Sequence, residues 1–330
     1  MRFLRRALLP SGLKKGWPCM SSSPAPIRGY VTIATGSEHY YKIAYNLLLS
    51  YRRNGGNAYP FAILAEEENE YTRAFDKVVV ISDPSRSYMD KLRIYDYTPF
   101  EETIFIDADC LVYGNIDSWW SFFENSGDFS CFGYAYENLS TKKGWFRWEG
   151  MKEFKDRISF IPSFSGGVYY LRKTPVAGEV FHLAKYAATH YKEYPFAMFS
   201  APADEPVLAF GMAVCNCRPI DRTEVGIYVK QRDMHVDIMV PSALWANRGK
   251  IIPVKLVHWG NFGTMKAQYL LEALRLKRDL QGKFTSRLGA KLRYLLLLRY
   301  DCATLVKRIN RRLRKRLNKH RKQKAVSKIQ

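Results

Sequence analysis

Two aspartates one residue apart, Asp107 and Asp109, close a short apolar run, Ile104-Phe105-Ile106. On an extended backbone, residues two apart share a face. Both carboxylates can therefore reach one cation at the carboxyl end of a strand, where open α/β sheets bind ligands. Two carboxylates that leave coordination positions free suit a divalent ion that also takes phosphate oxygens. An enzyme using a nucleotide-diphosphate donor needs such a site.

The flanking sequence supplies the elements that must hold this pair. Tyr30 to Ala34 reads as a buried strand, and Tyr40 to Arg53 as a helix with Ile43, Leu47 and Tyr51 on one face, ended by Gly55-Gly56. Tyr59 to Leu64 and Lys77 to Ile81 read as strands, and Met89 to Tyr97 as a helix stopped before Pro99. Thr103 to Ile106 is the strand that feeds Asp107. Strands alternating with helices predict a mostly parallel sheet. Gly133 to Ser163 is aromatic-rich and weakly periodic. A strand follows over Ser165 to Leu171, then helices over Pro175 to Tyr191 and Asp204 to Met212, then a late strand over Val254 to Trp259. Trp119-Trp120 reads as core.

Composition bounds the function classes. The 330 residues are 47% hydrophobic, enough for a sizeable core, and carry a net charge of +21. That charge is not evenly spread. From Leu270 to Gln330 there are 20 Lys/Arg against 3 Asp/Glu, a net +17, which leaves +4 for residues 1–269. Within this tail Leu288, Leu292, Leu295, Val306, Ile309, Leu313 and Leu317 recur at helical spacing. A basic amphipathic helix of this kind fits an anionic membrane surface. No base-reading motif accompanies the charge, so nucleic acid is not expected as a partner. No run of 18 apolar residues predicts a spanning helix. Residues 1–28 hold six basic residues and no acid, and read as a flexible segment or an organelle transit peptide. The six cysteines are scattered and read as free thiols, with Cys215 and Cys217 on one side of a strand.

The ordered set of motifs resembles one family. Lys91-Leu92, Phe105-Ile-Asp-Ala-Asp109 and Asn115-Ile-Asp117 look like the core of glycosyltransferase family 8, the retaining enzymes that include glycogenin and the bacterial lipopolysaccharide galactosyl- and glucosyltransferases. Thr32 to Thr35 with Tyr40 to Ala44 resembles that family's first strand and donor-base loop. Phe164-Ser-Gly-Gly-Val168 resembles its Phe-Asn-Ser-Gly-Val, and Ala203 to Leu208 its Asp-Gln-x-x-Leu helix start. His258 to Lys266 resembles its His-x-x-Gly-x-x-Lys-Pro-Trp, with two extra residues between His and Gly and with Ala267-Gln268 in place of Pro-Trp. Ser165 stands where the family has Asn, and Glu205 where it has Gln.

The resemblance covers about residues 29–269 and implies a GT-A-like, Rossmann-related α/β domain between the N-terminal segment and the basic tail of residues 270–330. It implies a hexose, glucose or galactose, moved from a UDP-sugar to a glycan or lipid-linked acceptor. Asp107, Asp109 and His258 would hold Mn²⁺ or Mg²⁺, which neutralises the charge of the departing diphosphate. Lys91 and Lys266 would add cations there, with Gly263 letting the backbone come close. Thr35 and Tyr40 would hold the base, and Ala108, Ser165 and Gly166 would line the donor. Asp204 and Glu205 would face the sugar opposite the leaving group, where Glu205, as a carboxylate, can act as a covalent nucleophile. The rival expectation is a carbohydrate- or membrane-binding scaffold of the same fold without activity. A cytoplasmic protein held at the inner face of the membrane follows from the tail.

Overall fold

The computed structural model describes residues 28–196, 201–221, 227–229, 234–240, 242–247, 250–260 and 262–282. The expected basic N-terminal segment (1–28, but for Arg28) and most of the basic tail (283–330) lie outside the described residues.

A seven-stranded sheet forms the centre. Its strands are β1 (Arg28–Ala34), β2 (Phe61–Ala65), β3 (Lys77–Val80), β4 (Glu102–Ile106), β6 (Phe129–Tyr136), β7 (Ile161–Arg172) and β8 (Ile220–Asp221), in the order β3-β2-β1-β4-β7-β6-β8. The first four run parallel, β7 runs antiparallel to both β4 and β6, and β8 is parallel to β6. The sheet is thus mostly parallel, as the alternation of elements predicted.

Helices cover both faces. On one face α1 (Glu38–Asn54) and α6 (Phe262–Leu280) pack Leu47, Leu48, Tyr51, Tyr269 and Leu276 against Tyr30, Ile104 and Ile106. On the other, α4 (Pro175–Thr189) and α5 (Asp204–Val214) pack Val180, Phe181, Leu208 and Phe210 against Val31, Phe105 and Tyr169. Strands buried on both faces read as continuous apolar runs, and β2, Phe-Ala-Ile-Leu-Ala, is buried at all five positions. Trp119 and Trp120 lie in the core, where α3 (Trp120–Phe123) begins.

Two small sheets complete the body. One joins β5 (Cys110–Val112), β13 (Leu256–His258) and β9 (Ile227–Val229); the other joins β10 (Met234–Asp237), β11 (Ser242–Asn247) and β12 (Lys250–Pro253).

Four local expectations differ from the structure. The helix expected over Met89 to Tyr97 is a 3-10 segment, Tyr88–Arg93, that passes into one α-helical turn, α2 (Ile94–Tyr97). Its tight start is set by Asp90, whose buried carboxylate accepts from the backbone amides of Ser85 and Arg86 and the hydroxyls of Ser85 and Thr35. Cys215 and Cys217 are not on a strand: α5 runs to Val214, and Asn216 turns the chain in the left-handed region at φ 54°. The aromatic stretch from Gly133 is partly strand, because β6 extends to Tyr136 and β7 begins at Ile161. Finally α6 starts at Phe262 and continues across residue 270, with Tyr269, Ala273 and Leu276 in the core.

Candidate functional site

The sheet order runs outward from β1 in both directions, to β2 and β3 on one side and to β4 on the other. Such a switch point opens a crevice at the carboxyl ends of the strands. Thr35 follows β1 at this crevice and Asp107 follows β4. The Asp107 amide is fixed by the Gly167 carbonyl of β7 at 2.9 Å.

Asp109 closes the tight link from β4 to β5. The antiparallel ladder between β5 and β13 pairs Cys110 with His258, and the Trp259 amide donates to the Asp109 carbonyl at 3.1 Å. This ladder carries the histidine to the aspartates from far along the chain. His258 Nε2 then lies 3.0 Å from Asp109 Oδ1 and 3.6 Å from Asp107 Oδ2, and its Nδ1 lies 3.3 Å from Ser165 Oγ.

Lys91 occupies the centre. It is 7% exposed, and its ammonium donates to Asp107 Oδ2 at 2.7 Å and to Asp204 Oδ2 at 3.0 Å. Asp204 and Glu205 form the first turn of α5, where carboxylates are favoured by the helix dipole. Asp204 is 2% exposed, and the Gly166 amide donates to Glu205 Oε1 at 3.4 Å. Two glycines of β7 make this packing possible. A Cβ on Gly166 would lie 2.6 Å from Asp204 Oδ2, and one on Gly167 would lie 2.8 Å from His258 Nδ1.

The charges are unevenly balanced. Burial opposes the charge on Lys91, but the Asp107 and Asp204 carboxylates outweigh it and hold the ammonium well above its ordinary range. Burial pushes Asp204 up to about 7; Lys91 opposes this, while Glu205 and Asp107 add to it. One ammonium thus serves two carboxylates. Burial likewise disfavours a charged His258, yet Asp109 and Asp107 raise it to about 9. Burial also opposes the charge on Asp109, but His258 holds this carboxyl below its usual value.

The residues present suit a divalent cation. Asp109 Oδ1 is buried and faces His258 Nε2 at 3.0 Å. A carboxylate oxygen and an imidazole nitrogen held together by one proton become two ligand atoms for a cation that displaces it. The ligand atoms that lie within 4.8 Å of one another belong to Asp109, Cys110 and His258. The Cys110 thiol is fully buried, and burial with the adjacent Asp109 and Asp107 charges keeps it protonated well above its ordinary range. Carboxylate oxygens and an imidazole suit Mn²⁺ or Mg²⁺, whereas a neutral thiol does not. Asp107 stands further out and is held by Lys91.

Of the residues singled out from sequence, Lys91, Asp107, Asp109, Ser165, Gly166, Asp204, Glu205 and His258 form one connected cluster. Ala108 lies within it, its amide 3.1 Å from Asp107 Oδ1. Thr35 joins it through Asp90, donating to Oδ2 at 2.8 Å, one residue before Lys91. Tyr40 stands at the start of α1 and is 48% exposed. Gly263 and Lys266 lie in the first turns of α6, and the Lys266 side chain is outside the described residues.

Sequence reasoning missed Asp90, which ties the Lys91 segment to the end of β1; its place beside Lys91 was the available signal. It also missed the Glu66–Arg86 pair at the same end of the sheet. Arg86 meets both Glu66 oxygens, and Glu66 accepts the Gly36 amide.

No protein-family model matches the chain, and no curated protein matches its sequence. Solved structures are similar at the level of shape. A galactosyltransferase, LgtC, in complex with donor and acceptor sugar analogues is 14% identical; the match covers 80% of this chain and 99% of that one at a TM-score of 0.48. The bifunctional glycosyltransferase WbbM, in its apo form, is 14% identical, covering 73% of this chain and 47% of that one at a TM-score of 0.41. Mouse xyloside xylosyltransferase 1 in its apo form is 14% identical, covering 71% and 97% at a TM-score of 0.41. At these scores the likeness is coarse, and a function has to be argued from the site.

Proposed function

We propose that this chain is a metal-dependent retaining glycosyltransferase of the family 8 type. It moves a hexose, glucose or galactose, from a UDP-sugar to a glycan or lipid-linked acceptor. The observation that carries this reading is the buried Asp109 oxygen 3.0 Å from His258 beside a buried ammonium, all at the carboxyl ends of a switch-point sheet.

Mn²⁺ or Mg²⁺ bound by Asp109 and His258, with Asp107, would supply Lewis-acid stabilisation of the diphosphate leaving group. The protein's own groups do the rest. Lys91 keeps its charge at every physiological pH, and sets a positive potential where negative charge develops. Asp204 fixes Lys91 from the far side, so the ammonium is oriented before a substrate arrives. Glu205 is held against Gly166 on the first turn of α5 and is the carboxylate we assign to the face of the sugar opposite the diphosphate. Thr35 and Tyr40, near the end of β1, are assigned to the base, and the basic segment of 270–330 to an anionic membrane surface at the cytoplasmic face. Among the described residues no helix is long and apolar enough to cross a membrane.

The deciding experiment offers a panel of nucleotide sugars to the full chain with Mn²⁺, Mg²⁺ or EDTA and follows donor hydrolysis. Metal-dependent release of UDP is expected. Metal-independent or absent UDP binding would favour a scaffold without activity. Full activity in Glu205→Gln would exclude the covalent role.

A further inference from the structure

The metal-dependent reading leaves one hydroxyl with a task unlike the one its position suggested. Ser165 was expected to touch the donor sugar. Its Oγ instead lies 3.3 Å from His258 Nδ1, across the gap between β7 and the end of β13.

An imidazole that gives the Nε2 lone pair to a cation must carry its proton on Nδ1. That N–H needs an acceptor, and a ligand histidine without one can rotate or change tautomer. Among the described residues the hydrogen-bond partner of Nδ1 is Ser165 Oγ. The ring is also confined sideways. A Cβ on Gly167 would come within 2.8 Å of Nδ1, and one on Gly260 within 3.1 Å of Nε2. Bare backbone on either side leaves the ring a slot, and the serine hydroxyl decides which nitrogen points out of it. Nε2 then faces Asp109 Oδ1 at 3.0 Å and Asp107 Oδ2 at 3.6 Å.

We propose that Ser165 is a positioning residue for the metal site: its hydroxyl accepts the Nδ1–H of His258 and so presents Nε2 to the cation beside Asp109. This inference rests on the metal-dependent reading above. It gives Ser165 a different role from a sugar contact, because a hydroxyl committed to the ligand ring acts on the donor only through the metal.

The test is Mn²⁺ binding to the full-length protein without nucleotide, followed by electron paramagnetic resonance of the free ion. Loss of the outer partner of a ligand histidine costs 10–100-fold in metal affinity. Ser165→Ala is therefore expected to weaken Mn²⁺ binding about 10-fold or more, and Ser165→Thr, which keeps the hydroxyl, to restore it. Donor turnover lost at low Mn²⁺ in Ser165→Ala should return when Mn²⁺ is raised to saturation. Equal Mn²⁺ affinity in wild type and Ser165→Ala would overturn the proposal, more so if the donor KM rises at saturating Mn²⁺, as for a sugar contact. A wild-type protein that binds no Mn²⁺ would overturn the metal-dependent reading itself, so the two failures are distinct. Thermal melts of both variants confirm that they fold.

Discussion

Asp109 and Asp117 belong to one short segment, yet the fold sends them to opposite ends of the sheet and treats them oppositely. Asp117 sits beside the start of β1. Its Oδ1 accepts from the Tyr30 and Tyr51 hydroxyls at 3.1 and 2.9 Å, and its Oδ2 accepts the Ala58 amide at 2.8 Å. Three neutral donors satisfy it and clasp β1, α1 and the α1–β2 loop to the β5–α3 connection. At the other end three carboxylates, Asp107, Asp109 and Asp204, share one ammonium and one imidazole. A carboxylate that serves the fold is surrounded by enough donors to be content. Carboxylates that serve a ligand are left short by the protein and are completed by what they bind.

This contrast can be broken by mutation. The largest effect is expected from Asp109→Asn, which should lower donor turnover by about 10³-fold, abolish Mn²⁺ binding and remove most of the stability that protonation of His258 gives the metal-free protein. A wild-type rate would sink the assignment. Lys91→Met should come next. It leaves Asp107 and Asp204 buried without their cation, a loss of about 3 kcal/mol or more in urea unfolding, and, because Lys91 no longer lowers Asp204, the loss grows above pH 7. Asp117→Ala reverses the pattern: two phenols and an amide lose their acceptor, costing about 2–3 kcal/mol, while Mn²⁺ binding survives. If Asp117→Ala abolished metal binding at unchanged stability, the two ends would not be separate in role.

Two smaller effects sharpen the comparison through pH. The metal-free protein gains stability from a proton on His258, because its pKa is raised to about 9. That gain is full below about pH 6.5 and is lost as pH rises through about 9. A cation must displace this proton, so Mn²⁺ affinity should climb with pH up to about 9 and then level. A flat profile would mean that His258 is not a ligand. Asp204 works in the other sense. With its pKa raised to about 7, the folded state holds a proton that the unfolded chain releases near 4, so stability declines between about pH 4 and 7. Asp204→Asn should shrink that slope without removing it, since burial also raises Glu272, on α6, to about 7.

Much of the fold could be read locally. The strands β1 to β4 and the helices α1, α4 and α5 announce themselves by period, glycine and proline, within a few residues of their observed ends. Elements whose shape depends on distant partners were less legible. The 3-10 segment that carries Lys91 is held by Asp90, which collects donors from Thr35, Ser85 and Arg86, and no periodicity records that. The small sheets β5-β13-β9 and β10-β11-β12 are made of three- to six-residue strands with little pattern of their own.

The sequence by itself determined the class of sheet and the placing of Asp107 at a strand end. Those follow from side-chain period and from a run too apolar to lie anywhere but the core. Only the tertiary structure decided how the carboxylates divide their work. Lys91 reaches Asp107 and Asp204 across three elements, the β5–β13 ladder brings His258 to Asp109, and Asp117 is drawn away to a clasp at the far end. Each of these pairings joins residues distant in sequence, and its energy depends on burial and donor supply, which exist only once the chain has packed.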